Sequence, residues 1–188
     1  MTVAGRRVRA DEWELVRDLR LDAVRDPLAP IAFLHSYEAE AAHPDEFWQD
    51  RAFNAASGDA AAQFVAEVDG EWIGTVTVIR WDAGDTDHHG RDVTAPRGDV
   101  VGVFVRPEHR GSGVVDALIS AAAAWARSLG DESLTLDVHA DNVRAQAAYR
   151  RVGFVETGAR FSSSIGPELE MSRALFEADL RNADKVSS

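Results

Sequence analysis

The chain has 188 residues, 45% of them apolar, a formal net charge of -12 and no cysteine. That length fits a single domain over residues 1–188, while missing thiols exclude a disulfide framework, a thiolate metal site and a cysteine nucleophile. The acidic balance argues against nucleic acid, and the lack of an apolar run of roughly 20 residues or a signal-peptide core leads us to expect a soluble, cytoplasmic protein with no membrane partner. The negative surface has two readings, attraction of a cationic substrate or simple solubility.

The first segment, Val3 to Arg9, can form a short strand. Asp11 is placed to cap a helix carrying Trp13, Val16, Leu19 and Val24 at helical spacing, ended by the Pro27 to Pro30 stretch. A second helical region breaks near His43 and Pro44, where Pro44 suits the first turn with Asp45 and Glu46 behind it. Its aromatics Phe47, Trp48 and Phe53 read as core. AAQFVAEV and EWIGTVTVIRW, between Ala61 and Trp81, are β-rich runs joined by Asp69-Gly70, which predicts an antiparallel hairpin. From Asp82 to Gly98 no period survives among Gly, Asp, His and Pro, so a long loop is expected there, of the kind that often carries function.

VVGVFV is a continuous apolar strand, followed by Pro107, a glycine turn and a helix from about Val114 to Leu129 closed by Gly130. The order repeats with LTLDV as a strand and Asn142 to Val152 as a helix ended by Gly153. Two strands near Phe154 to Phe161 and Glu168 to Arg173 complete the pattern, a mixed α and β domain.

Where the buried strand turns into the long helix, Arg110, Gly111, Ser112, Gly113, Val114 and Val115 leave backbone N–H groups without intrahelical partners. Aligned peptide dipoles add partial positive charge, and the two glycines let the backbone approach a bulky anion, so a pyrophosphate suits the turn, with Arg110 adding a charge-assisted contact. A Gly-x-Gly pair can equally mark only a tight turn. No Gly-Lys-Ser or Gly-Lys-Thr follows, and the full dinucleotide fingerprint is absent.

The turn, with Val105-Arg106-Pro107 before it, resembles the R-x-x-G-x-G/A signature of the GCN5-related N-acetyltransferase (GNAT) superfamily. A second block, LDVHADNVRAQAAYRRVGF, carries Asn142, Ala145, Tyr149, Gly153 and Phe154 at that superfamily's spacing. The resemblance spans about residues 61–174 and departs from the signature at Val115, which stands where a small residue is usual. It implies an α/β fold of mixed, α+β-like character. Its central sheet would have six to seven mostly antiparallel strands, with a splayed parallel pair in the middle and about four flanking helices.

The resemblance further implies acetyl-CoA as acyl donor, with the pantetheine arm beside Val103, Phe104 and Val105 and no metal. The acceptor would be a primary amine of a small molecule or a peptide N-terminus, attacking the thioester directly in a ternary complex, and a homodimer is possible. Tyr149 matches the family tyrosine that protonates the leaving thiolate; packing of the helix on the sheet is its other reading. Asn142 either bonds pantetheine or only caps its helix. Asp137 resembles the glutamate base of ribosomal-protein alanine acetyltransferases and, being one methylene shorter, would work through a water; its alternative is a polar residue on a partly solvated strand. His139, on the same face, is the second candidate base. His88 and His89, with Asp85, Asp87 and Asp92 nearby, suggest a metal site, but adjacent histidines do not readily point to one centre, so a solvated loop is preferred. The loop, Glu40 and Trp48 are expected near the acceptor. Two other functions remain open: an acyl-CoA-binding regulatory module with weak turnover, and a nucleotide-phosphate binder unrelated to CoA.

Overall fold

A computed structural model describes residues 3–176. The elements run β1 (Gly5–Arg7), α1 (Trp13–Arg25), α2 (Tyr37–Ala41), α3 (Asp45–Ala56), β2 (Ala61–Val68), β3 (Glu71–Trp81), β4 (Arg97–Val105), α4 (Val114–Ser128), β5 (Ser133–His139), α5 (Val143–Arg151), β6 (Val155–Ser163) and β7 (Gly166–Ala174). The strands form one sheet in the order β1-β2-β3-β4-β5-β7-β6. Every neighbouring pair is antiparallel except β4 and β5. The seven strands and parallel central pair match the expected fold, with five α-helices where about four were anticipated.

The parallel pair is joined only from Arg97 to Asp99 against Ser133 to Thr135. Beyond Asp99 the two strands separate. The cause lies in β4, where the register against β3 shifts between Thr75 and Thr77 and Gly102 takes a left-handed φ of 62°. A bulged residue bends its strand, and a left-handed one favours glycine. The separation frees the β4 edge from Val100 to Val105, next to the glycine turn.

Helices cover both faces. On one, α4 buries Val114, Leu118, Ile119, Ala122, Ala123 and Ala126 against strand residues including Val76, Val78, Leu134 and Met171. On the other, Val16, Leu19 and Ala23 of α1 meet Trp48 and Ala52 of α3 over Val65 and Phe104. The hairpin turn is as read: Asp69 and Gly70 both have positive φ.

Several local expectations give way. Asp11 does not cap α1; it lies in a short 3-10 turn from Ala10 to Glu12, and the Glu12 carboxylate instead accepts the Arg9 backbone N–H at 2.8 Å. Pro44 is the residue before α3, not in its first turn. Of the three aromatics expected in the core only Trp48 is buried; Phe47 and Phe53 are exposed, because Phe47 stacks on His43 at 3.8 Å and Phe53 lies on the outer face. No helix among the described residues is long and apolar enough to cross a membrane.

Candidate acyl-transfer site

The glycine turn is built from two left-handed residues, Gly111 (φ 79°) and Gly113 (φ 86°), the second immediately before α4. The first hydrogen bond of the helix runs from the Ala117 N–H to the Gly113 carbonyl. Among the described residues, therefore, the N–H groups of Gly111 to Asp116 donate to no protein acceptor. A Cβ built on either glycine would meet nothing within 4 Å, so both glycines are required by backbone conformation and both face open space. Unpaired N–H groups at the positive end of a 15-residue helix fit a pyrophosphate.

Arg110 does something the sequence did not show. Its Nε donates to the Val105 carbonyl at 2.9 Å and its Nη2 is ion-paired with Asp26, the residue that ends α1. The side chain thus ties the turn to α1, while the turn's backbone supplies the open donors. Ser112 is also turned inward, its hydroxyl donating to the His109 carbonyl at 2.6 Å. Val115, the second residue of α4, is partly buried against the core.

A cavity of about 650 Å³ runs from this turn along the freed edge of β4, lined by Val103, Phe104 and Val105 on one side and Asn142, Ala145 and Tyr149 on the other. Leu28, Ala29 and Phe33, from the segment between α1 and α2, form its roof. These residues carry no motif, so nothing in the chain's local pattern marks that roof. Asn142 caps α5, its Oδ1 accepting the Ala145 N–H at 3.2 Å, and still faces the cavity.

A second cavity of about 460 Å³ continues past the first; Phe33, Val103, Asn142, Ala145 and Tyr149 line both. Tyr149 stands at the junction. Burial pushes its hydroxyl above the ordinary tyrosine range, so it stays protonated at neutral pH. The far cavity is walled by Arg20, Glu40 and Arg51 from the helical side and by Asp99, Asp137, His139 and Glu168 from the sheet. Glu40 thus lines this cavity, whereas Trp48 lies beneath that wall in the core.

Asp137 is not a solvated strand residue. Arg91 grips its carboxylate with two bonds, 3.2 and 2.9 Å, and His89 Nε2 lies 3.2 Å away. Burial nonetheless outweighs these contacts and raises the Asp137 carboxyl, which favours proton uptake. His139 is worse placed to take a proton: the Asp141 N–H donates to its Nδ1 at 3.1 Å, so a neutral ring carries its hydrogen on Nε2 and has no free lone pair.

The segment between β3 and β4 is more ordered than its composition suggested. A bridge joins Thr86 to Asp92, and Asp87 organises the turn by accepting the N–H groups of His89 and Arg91 and the guanidinium groups of Arg91 and Arg97. This fold brings His88 and His89 together despite their adjacency: their rings lie 4.1 Å apart, and one nitrogen of each, with an Asp137 oxygen, fall within 4.8 Å of one another. Burial and the neighbouring His89 lower His88, leaving it neutral. The two-pronged hold of Arg91 on Asp137 sets a full positive charge where a cation would sit, which opposes metal binding.

A splayed central pair with a glycine turn at its mouth and a through-going cavity is the architecture of an N-acetyltransferase. The chain belongs to the acetyltransferase (GNAT) family, whose model matches residues 21–154. A curated relative, the aminoglycoside N(6')-acetyltransferase type 1 of Stenotrophomonas maltophilia, is 35% identical over 103 residues, 54% of this chain and 64% of the relative. The chain thus spans less than two thirds of that relative's length. Among solved structures, the Salmonella typhimurium protein yncA with acetyl-CoA superposes with a TM-score of 0.70 at 17% identity, covering 97% of this chain and 99% of the other. AAC(6')-Iy, in complex with a bisubstrate analogue of CoA and acetylneamine, gives 0.66 at 23% identity, covering 87% and 97%. At those identities the likeness is one of fold.

Proposed function

We propose that the protein transfers an acetyl group from acetyl-CoA to a primary amine of a small molecule or a peptide N-terminus, by direct attack in a ternary complex. The observation that carries this reading is the continuous passage from six unpaired N–H groups, along the free edge of β4, to Tyr149 and a polar cavity beyond it. The N–H groups of Gly111 to Asp116 hold the pyrophosphate, and the β4 edge from Val103 to Val105 receives the pantetheine arm as an added strand.

The acceptor arrives as an ammonium ion and must lose a proton before it attacks. Asp137, raised by burial, takes that proton through a water. The amine nitrogen then bonds to the thioester carbon, the carbon–sulfur bond breaks, and the Tyr149 hydroxyl gives its proton to the departing thiolate and is reprotonated by the second proton that the nitrogen sheds in becoming an amide. The products are an acetamide and free CoA, with one proton released overall. Placing both reactants on one rigid sheet supplies much of the acceleration.

The names of the curated relatives, aminoglycoside N(6')-acetyltransferases, support a small-molecule amine as acceptor. The test is release of free thiol from acetyl-CoA in the presence of a broad panel of amines. Amine-dependent release supports the reading. CoA binding without release above background for any amine would leave the regulatory-module reading, and stabilisation by ATP or NAD in preference to acetyl-CoA would leave a nucleotide binder.

A further inference from the structure

The far cavity holds an unusual set of oxygens. Among the described residues, three buried carboxylate oxygens have no hydrogen-bond partner: Glu40 Oε2, Asp99 Oδ2 and Glu168 Oε1. All three residues line that same cavity, and they are only 1%, 3% and 7% exposed. Buried polar groups in folded proteins are normally paired, and a buried charge without a partner is costly. Their convergence on one space marks a place where cations belong.

Each has a distinct setting. Glu168, on β7, leaves Oε1 without a partner. Asp99, at the point where β4 leaves β5, uses Oδ1 to accept the Thr135 hydroxyl, while Oδ2 stands 3.7 Å from His88 Nδ1. His88, kept neutral by burial, brings no charge, while Arg97 Nε stands 3.3 Å from the other oxygen, Oδ1; burial raises the Asp99 carboxyl, and a cation at the bare Oδ2 would favour its ionised form. Glu40 gives Oε1 to Arg20, at 3.0 and 2.7 Å from two nitrogens, and keeps Oε2 free. Arg51 lines the same corner without bonding Glu40, so this corner is the least negative of the three.

We propose that the acceptor is a small polycationic amine, and that Glu168 and Asp99 each receive one of its ammonium groups while a further amino group reaches the thioester beside Tyr149, with Glu40 a weaker third anchor for an amine that carries a fourth. A monoamine or a neutral peptide N-terminus leaves the three oxygens unpaired and forfeits their contribution. These residues are determinants of specificity, separate from the proton transfers of Tyr149 and Asp137. Linear polyamines and amino sugars share the required chemistry. The inference rests on the acetyl-transfer reading above.

The experiment compares kcat/KM, followed as thiol release, for spermidine, neamine, propylamine and an uncharged dipeptide amide, in the wild type and in Glu168→Gln, Asp99→Asn and Glu40→Gln. At least one of the polycations should exceed propylamine and the dipeptide by tenfold or more, and which one does identifies the linear or sugar scaffold. Glu168→Gln and Asp99→Asn should each lower the polycation-to-propylamine ratio about tenfold, mainly through KM, and Glu40→Gln less. A purely structural role would depress all substrates alike and leave the ratio unchanged. Thermal melting shows whether each variant is folded, and Glu168→Asp, which keeps the charge, should recover part of the ratio if Gln loses it. Equal use of monoamine, dipeptide and polycations, or ratios unmoved in folded variants, would overturn the inference while leaving acetyl transfer standing. Absence of turnover with every amine would instead refute the acetyl-transfer reading itself.

Discussion

Asp87→Asn is the sharpest perturbation of the segment that walls the far cavity. Burial by itself would raise the Asp87 carboxyl, but the bonds from Arg91 and the His89 N–H overcome it and bring the group from 3.8 to about 2. That displacement corresponds to about 2 kcal/mol of folding stability. A carboxyl held below its unfolded value stabilises the fold fully above about pH 4, and the contribution fades as the pH falls through about 2. Asparagine can keep an oxygen toward the N–H groups of His89 and Arg91, now 2.9 Å from Oδ1, but then sets its NH2 against Arg91 and Arg97. The cost should therefore be at least about 2 kcal/mol at pH 7. Urea unfolding of both proteins between pH 7 and pH 3 measures it, and the gap should narrow as the pH drops. The KM for the amine should rise because Arg91 and His89 lose their anchor, while CoA affinity stays within a factor of about three. A variant within about 0.5 kcal/mol of wild type at pH 7, the range of an ordinary surface substitution, or a gap that ignores pH, would refute the reasoning.

Three further outcomes follow from the same geometry. Tyr149→Phe should lower kcat by roughly 10²-fold or more, the usual worth of a positioned proton donor, with CoA affinity nearly intact by calorimetry; unchanged kcat would remove Tyr149 from its role. Gly113→Glu should abolish CoA binding, since it puts a charged side chain at a left-handed position facing the cradle, and retained affinity would mean the pyrophosphate sits elsewhere. Leu118→Ala, at a fully buried position of α4, should cost about 2–5 kcal/mol in urea unfolding.

The sequence exposed what depends on local order and left hidden what depends on distant encounters. The hairpin at Asp69-Gly70, the strand, turn and helix around Gly113, and the cap at Asn142 are each set by neighbours in the chain, and they stand as read. The Arg110–Asp26 pair joins residues 84 apart, and the grip of Arg91 on Asp137 joins residues 46 apart. No local pattern announces such pairs. The stretch from Asp82 to Gly98 misled for a related reason: one buried acid, Asp87, supplies the order that periodicity normally signals. Its last residues already belong to β4, and its adjacent histidines converge because that turn bends them together. The three unpaired carboxylate oxygens of the far cavity, from α2, β4 and β7, were equally invisible before the sheet and helices assembled.

The central claim is that one passage joins a coenzyme A cradle to an amine site at Tyr149. Mass detection of the products formed from isotopically labelled acetyl-CoA and a polycationic amine tests it most directly. The label should appear on the amine in step with released thiol, and both should vanish together in Gly113→Glu. Thiol released without labelled amine, or labelled amine still formed by Gly113→Glu at the wild-type rate, would contradict it.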